Sequence, residues 1–308
     1  MAGILTGFGI IGFVILAGWL LARGGVVAQS DRIVLNKVAF FAASPALLFT
    51  VLARSDVHVV FTRTLAVHAT TVLIVGVLTW GALWLAGGRR KAELLVHTHT
   101  AFYSNANNIG LPVAVHVIGD AQYVAPLLFL QLVVIAPLLM AALDVLTSGR
   151  RTSAGKLVAG PLRNPIVLGA LAGALVAVMG WQVPTPILQP LELLGGAAVP
   201  LMLMAFGISL DGQRPLQQGS PRRATVIAAT MKSFVMPVVA YLVAHVVFGL
   251  DARLTYAAVV LAALPTAQNM YQYALRYHTG EVMARDTILL TTAASLPVTL
   301  VVALLLHP

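Results

Sequence analysis

Apolar stretches long enough to cross a bilayer follow one another along the whole chain, separated by short connections carrying charge, glycine and proline. A spanning helix needs about 20 apolar residues, each rising about 1.5 Å. Ten stretches qualify, at roughly 4–22, 33–53, 59–86, 92–118, 122–146, 165–181, 188–210, 223–249, 254–277 and 284–306. The longest connections, 147–164 and 211–222, leave little chain for a soluble domain. The pattern predicts an all-α integral membrane protein with about ten transmembrane helices.

Composition supports that reading. Of 308 residues, 59% are hydrophobic and 9% charged, whereas a soluble domain carries roughly 25% charged residues. So few charges cannot cover the outside of a water-soluble fold. The net charge of +9 would admit nucleic acid as a partner, but its distribution excludes it. With the N-terminus outside, Arg23, Arg32, Arg89, Arg90, Lys91, Arg150, Arg151, Lys156, Arg163, Arg214, Arg222, Arg223, Arg276 and Arg285 all face inward. Only Arg54, Arg63 and Arg253 face outward, and Lys37 and Lys232 fall within spans. That bias obeys the positive-inside rule and places both termini outside. Met1-Ala2-Gly3 lacks the basic flank of a secretory signal, so the first span is expected to be retained.

The halves of the chain echo each other. Ser44-Pro45-Ala46-Leu47 in segment two is matched by Val199-Pro200-Leu201-Met202 in segment seven. Asn108 and Asn269 stand 161 residues apart, as do Gly119 and Gly280. Pro137 and Pro297 stand 160 apart. Matching segments lie five spans apart and so cross in opposite directions, giving two inverted five-helix repeats, 1–147 and 165–308, joined by a short basic cytoplasmic loop, 148–164. Inverted repeats are a common plan of secondary transporters.

The chemistry concentrates at two polar stretches. Asn105, Asn107, Asn108, Gly110 and Pro112 in segment four, and Pro265, Gln268, Asn269 and Gln272 in segment nine, make poor continuous helix near mid-span. Irregular backbone at that depth survives only inside protein or beside a watery cavity. Two such breaks in matching positions, with Pro45 and Pro200 as further break candidates, mark a transport site. Half-helix N-termini there would offer N–H groups and positive partial charge to an anion. Polar residues gluing helices together are the blander reading.

None of the ten acids sits at a span centre, where a cation carrier keeps its carboxylates. Lys232 does lie near mid-membrane, and its partner could be a substrate carboxylate, Asp144 or helix carbonyls. Gln131 is an isolated mid-span polar residue and a secondary candidate. His68 and His116 could relay protons or serve as packing residues.

Other signals carry less. Gly7-Phe8-Gly9-Ile10-Ile11-Gly12 spells GxGxxG but has no strand before it. Gly3 with Gly7, and Gly169 with Gly173, read as small-residue packing faces. With no cysteine, no HExxH and no Walker sequence, the chain shows no metal or cofactor motif and no catalytic residue. The chain is read as a transporter and not an enzyme.

Several motifs resemble the auxin efflux carrier family, the plant PIN proteins and their bacterial relatives, within the bile acid/sodium symporter-like superfamily. They are Leu35-Asn36-Lys37 and Pro45-Ala46-Leu47-Leu48-Phe49; Asn108-Ile109-Gly110-Leu111-Pro112; and Pro161-Leu162-Arg163-Asn164-Pro165. Ala263-Leu264-Pro265, Ala274-Leu275-Arg276-Tyr277 and Leu296-Pro297-Val298-Thr299-Leu300 complete the set. The resemblance implies crossing helices four and nine, and a scaffold of helices 1, 2, 6 and 7, usually a homodimer. Helices 3–5 and 8–10 would move elevator-like, carrying an organic anion such as malonate or malate. The short central loop fits a compact bacterial member in an inner membrane. Membrane potential, protons or sodium could drive it. The rivals are a symporter with ion sites at the crossover, an intramembrane enzyme and a non-transporting sensor.

Overall fold

In lipid a chain must satisfy its backbone polar groups internally, which this sequence does by forming helices. The computed structural model describes residues 2–54, 57–88, 90–148, 164–212, 216 and 219–306, and the side chains of these apart from 2–8, 57–62 and 148. Residues 149–163 of the basic loop expected at 148–164, and the surroundings of Gly3 and Gly7, lie outside the described set.

The helices are α1 (Ala2–Arg23), α2 (Asp31–Leu52), α3 (Val57–Leu85), α4 (Lys91–Thr100), α5 (Ala106–Ile118), α6 (Ala121–Thr147) and α7 (Pro165–Val178). They continue with α8 (Thr185–Leu210), α9 (Arg222–Val247), α10 (Ala252–Ala262), α11 (Asn269–Arg276) and α12 (Glu281–Leu306). Among the described residues, six helices are long and apolar enough to cross a membrane: α2, Arg63–Leu85 within α3, α6, α8, α9 and α12. Gly9–Arg23, Ala106–Ile118, Pro165–Val178 and Ala252–Ala262 are shorter apolar helices. Local signals set several ends. Asn164 caps α7, its side chain accepting from the Ile166 N–H at 3.0 Å ahead of Pro165. Asp251 does the same for α10 through the Leu254 N–H at 2.9 Å. Gly119 and Gly280 both take left-handed φ, 94° and 68°, where the chain turns into α6 and α12.

Segments four and nine are each two helices, α4 with α5 and α10 with α11. The interruptions fall at Ala101–Asn105 and Ala263–Gln268, so Pro265 stands in a break.

The other three prolines read as breaks need correction. Pro112 lies inside α5, just after a π-helical turn over Ala106–Gly110. Pro45 likewise follows a π-helical turn, Ala39–Ala43, in α2. The Ser44 N–H reaches back five residues to the Ala39 carbonyl. Widening the turn just before the proline accommodates a residue that has no N–H and whose ring crowds the preceding turn. Pro137 after Leu130–Ile135, and Pro237 after Met231–Val235, repeat the device. Pro200 sits in the first turn of Ala198–Leu210, where a backbone N–H has no helical partner in any case; the interruption in α8 is at Ala197.

The chain divides into two compact units. The first holds Met1–Thr62, Asn107–Phe129 and Ala159–Gln213; the second holds Arg63–Ala106, Leu130–Val158 and Arg214–Pro308. In the first unit, glycines allow close helix approach. A Cβ on Gly169 or Gly173 would stand 2.5 Å from the carbonyl oxygen of Pro45 or Phe49 in α2, and one on Gly207 would overlap the Ile15 carbonyl of α1. The second unit packs around the breaks, with Val75, Val96, Phe102, Tyr103, Leu139, Met236, Val259 and Met270 in one buried cluster.

Candidate functional site

The two breaks of the second unit answer each other. When α4 ends at Thr100 and α10 at Ala262, their last carbonyls and the extended residues that follow lose their helical partners. The stretches 103–105 and 265–267 run antiparallel, with Ser104 opposite Thr266. The Asn105 N–H donates to the Pro265 carbonyl and the Ala267 N–H to the Tyr103 carbonyl, each at 2.8 Å. Each break therefore supplies what the other lacks.

Side chains satisfy the helix ends. The Thr266 hydroxyl donates to the Thr100 carbonyl at 2.6 Å, and the Thr266 N–H donates to Thr291 Oγ1 at 3.1 Å. Lys232 is fully buried; its Nζ donates to the Ala262 carbonyl at 2.8 Å and lies 3.2 Å from Met236 Sδ. Of the two protein partners open to Lys232 in the sequence, Asp144 and helix carbonyls, it meets a helix carbonyl. That places a cation at the negative end of α10. Asp144 instead accepts from the Tyr277 hydroxyl, at 2.9 Å.

The amide residues take different positions. Asn105 and Gln131 are buried beside the break, Gln268 is half-buried, and Asn269 and Gln272 are exposed. The Gln131 backbone carbonyl accepts from the Tyr103 hydroxyl at 3.3 Å. Tyr103 also interacts with the Asn269 side chain and sets its ring edge against Tyr273, centroids 6.3 Å apart. Asn105, Gln131, Lys232, Gln268, Asn269 and Gln272 thus all belong to the second unit, on or next to the paired breaks. Asn107, Asn108 and Gly110 belong to the first unit, in the π-helical start of α5, where Asn107 Nδ2 donates to Asn108 Oδ1 at 2.9 Å.

Gln131 and Lys232 lie in π-helical turns as well, Leu130–Ile135 and Met231–Val235; such turns recur at functional sites. Tyr103, Ser104, Thr266 and Thr291 were not singled out as site residues in the sequence. Thr266 beside Pro265 was the one available signal, since a hydroxyl next to a helix break can replace a lost backbone partner.

Among the described residues, Ser104 Oγ and Gln131 Nε2 beside this crossing are buried without a hydrogen-bond partner. Each left dry costs about 1–3 kcal/mol. Both groups are neutral donors, and the nearby ammonium of Lys232 is already engaged. The arrangement suits a ligand rich in acceptor oxygens.

A family model described as membrane transport protein matches residues 8–303. A Rhizobium meliloti protein named as a candidate malonate transporter is 28% identical over 275 residues, covering 85% of this chain and 82% of that protein. An uncharacterized transporter of Methanothermobacter thermautotrophicus is 25% identical over 290 residues, covering 92% and 91%. The chain is thus an integral membrane transporter and not an enzyme, and it belongs to the membrane transport protein family, the auxin-efflux-like group that its motifs resemble.

Proposed function

We propose that this protein is a secondary carrier of small organic anions, carboxylates and in particular dicarboxylates such as malonate. The substrate binds at the crossing of the two breaks in the second unit. The observation that carries this is the pair of buried, unpartnered donors, Ser104 Oγ and Gln131 Nε2, beside backbone that has left its helices. A carboxylate would accept from both. The exposed amides of Asn269 and Gln272 at the start of α11 would orient it, and the positive end of that helix would favour its charge. Lys232 acts in this reading as a positioning residue, holding the end of α10. The name of the Rhizobium relative supports malonate as the first substrate to try.

The same reading includes a ten-helix chain of two inverted repeats in an inner membrane, with both termini outside. Segments one, two, six and seven of the sequence (α1, α2, α7 and α8) form a dimeric scaffold, and the remaining six segments move elevator-like. The shared left-handed turns at Gly119 and Gly280, and the paired breaks, support the repeat.

The test separates binding from folding. Gln131→Leu removes a buried amide that has no partner, so thermal stability of the purified protein should hold or rise by about 1 kcal/mol. Malonate uptake into proteoliposomes should meanwhile fall by about tenfold or more, the loss expected when a hydrogen bond to a charged group disappears. Asn108→Leu and Asn269→Leu should also lose uptake while the folded protein stays in the membrane. Full transport by all three variants, or no uptake of any labelled carboxylate by the unmodified protein, would refute the reading.

A further inference from the structure

Helix α3 is built inside out. From Leu73 onward its exposed face is apolar, with Leu73, Val77, Leu78, Trp84 and Leu85 all open to the surroundings. Four of its polar residues are turned inward: Thr64, His68, Thr71 and Thr79 are at most 4% exposed. Spacings of three and four residues put them on one helix face with Val75. Val75 belongs to the buried cluster around the breaks, and a Cβ on the adjoining Gly76 would stand 3.2 Å from the Phe102 ring. The polar face of α3 therefore runs along the core that holds the crossing, two residues before Ser104.

Three atoms on this face lack partners: His68 Nε2, Thr71 Oγ1 and Thr79 Oγ1. Hydrophobic packing does not require a histidine here, and leaving its ring nitrogen dry is unfavourable. Several charged and titratable groups on the elements sharing this core have other engagements. Lys232 caps Ala262, Asp144 takes the Tyr277 hydroxyl, Glu93 pairs with Arg90, and Asp286 pairs with Arg285. His99 Nδ1 meets the Leu95 carbonyl, Tyr241 stacks on His245, Tyr273 lies against Tyr103, and Arg276 covers Tyr277. His97 rests against Gly280 on the far side of the break, its Nε2 likewise without a partner among the described residues, and Arg253 and Tyr256 complete the set on α10. On α3 itself Arg63 is exposed at the outer end. None of them partners His68 Nε2.

We propose that His68 is the coupling site of the carrier, its Nε2 binding one proton per transport cycle with the neighbouring Thr71 hydroxyl beside it. The inference rests on the carrier reading. Neutral imidazole has one free ring nitrogen, takes one proton there and becomes a cation. A buried unpaired cation is unfavourable, as is a buried unpaired anion. Within one body each offsets the other, so proton and carboxylate promote each other's binding, and by linkage they do so equally. The proton leaves with the anion on the opposite side, restoring neutral His68.

Purified protein in vesicles, with labelled malonate as the probe, tests this in two modes. Exchange, with equal malonate on both sides, requires only the substrate site. Accumulation against a malonate gradient, driven by an inward proton gradient with the membrane potential clamped, requires coupling as well. His68→Gln should keep exchange within about twofold of the unmodified protein while losing accumulation by about tenfold or more. A pH dye sealed inside the vesicles gives a second readout that needs no variant: malonate entry should acidify the lumen of vesicles holding the unmodified protein. Accumulation by His68→Gln equal to that of the unmodified protein would overturn the proposal. So would net malonate entry without lumenal acidification. Absence of exchange in the unmodified protein would instead bring down the carrier reading, and this inference with it.

Discussion

Lys232→Met is expected to destabilise the protein and to abolish transport together. Methionine keeps the length and apolar stem of lysine but removes the ammonium that the Ala262 carbonyl accepts from at 2.8 Å. That carbonyl ends α10, where the following residues turn away to pair with the other break. Left buried without a partner it costs about 1–3 kcal/mol. One opposing effect needs weighing. An ammonium at the bilayer centre is unfavourable by roughly 2.5–3.5 kcal/mol on insertion scales, so losing it could look stabilising. That penalty arises when the helix enters lipid and applies to the inserted, unpacked chain as well, so it largely cancels from the packing step. The carbonyl's loss does not cancel. A lower melting temperature in detergent, with malonate uptake down by about tenfold or more, is the expected pair of results. Lys232→Arg should not rescue it, because a fully buried site has no room for the larger guanidinium. Unchanged melting and uptake in Lys232→Met would show that the end of α10 is held by something else.

The contrast with Gln131 is informative. Both are polar residues inside spans, both sit in π-helical turns that end two residues before a proline, and both were visible in the sequence as anomalies. Only coordinates separate them. Lys232 ends on a helix carbonyl, whereas the Gln131 amide nitrogen ends on nothing. Removing the first should cost stability and removing the second should not, though both should cost transport.

The helices were legible because period and length are written directly into apolar runs, and lipid leaves the backbone no alternative. The breaks were legible only in part: the polar crowd of segment four starts at Asn105, the last residue of its break, and runs on into α5, whereas Pro265 and Gln268 lie in the second break. Proline itself was a poorer guide. Pro265 marks a break, but Pro45 and Pro112 lie within helices, since a turn widened by one residue accommodates the missing N–H and the ring. Nothing in the composition of Ala39-Phe40-Phe41-Ala42-Ala43 announces that widening. Nor could the sequence show that Thr266 reaches the Thr100 carbonyl, 166 residues away. That contact depends on which two breaks meet, a property of the folded unit. For the same reason Asp144 and Lys232, both plausible as partners on charge alone, turn out to serve different neighbours.

Alanine substitutions at two helical glycines of the first unit should move stability in opposite directions. Replacing glycine by alanine inside a helix gains roughly 0.5–1 kcal/mol by restricting the unfolded backbone. At Gly12 in α1 a Cβ meets nothing within 4 Å, so that gain should be realised. At Gly173 in α7 the same atom would stand 2.5 Å from the Phe49 carbonyl oxygen and 2.9 Å from its Cα. Both are main-chain atoms of α2, so no side-chain rotation relieves the overlap and the two helices must separate. Gly169, one turn earlier, makes the equivalent approach to Pro45, and the lost contact therefore extends along the pair. Between membrane helices such close packing replaces the hydrophobic drive that lipid cannot supply, and overpacking of this kind costs typically 1–3 kcal/mol, occasionally more. Gly173→Ala should therefore lower the melting temperature and the yield of folded protein, and Gly169→Ala with Gly173→Ala should leave little that survives extraction. Gly12→Ala should match or exceed the unmodified protein. Equal stability of the two single variants would mean that α2 and α7 do not approach through these glycines.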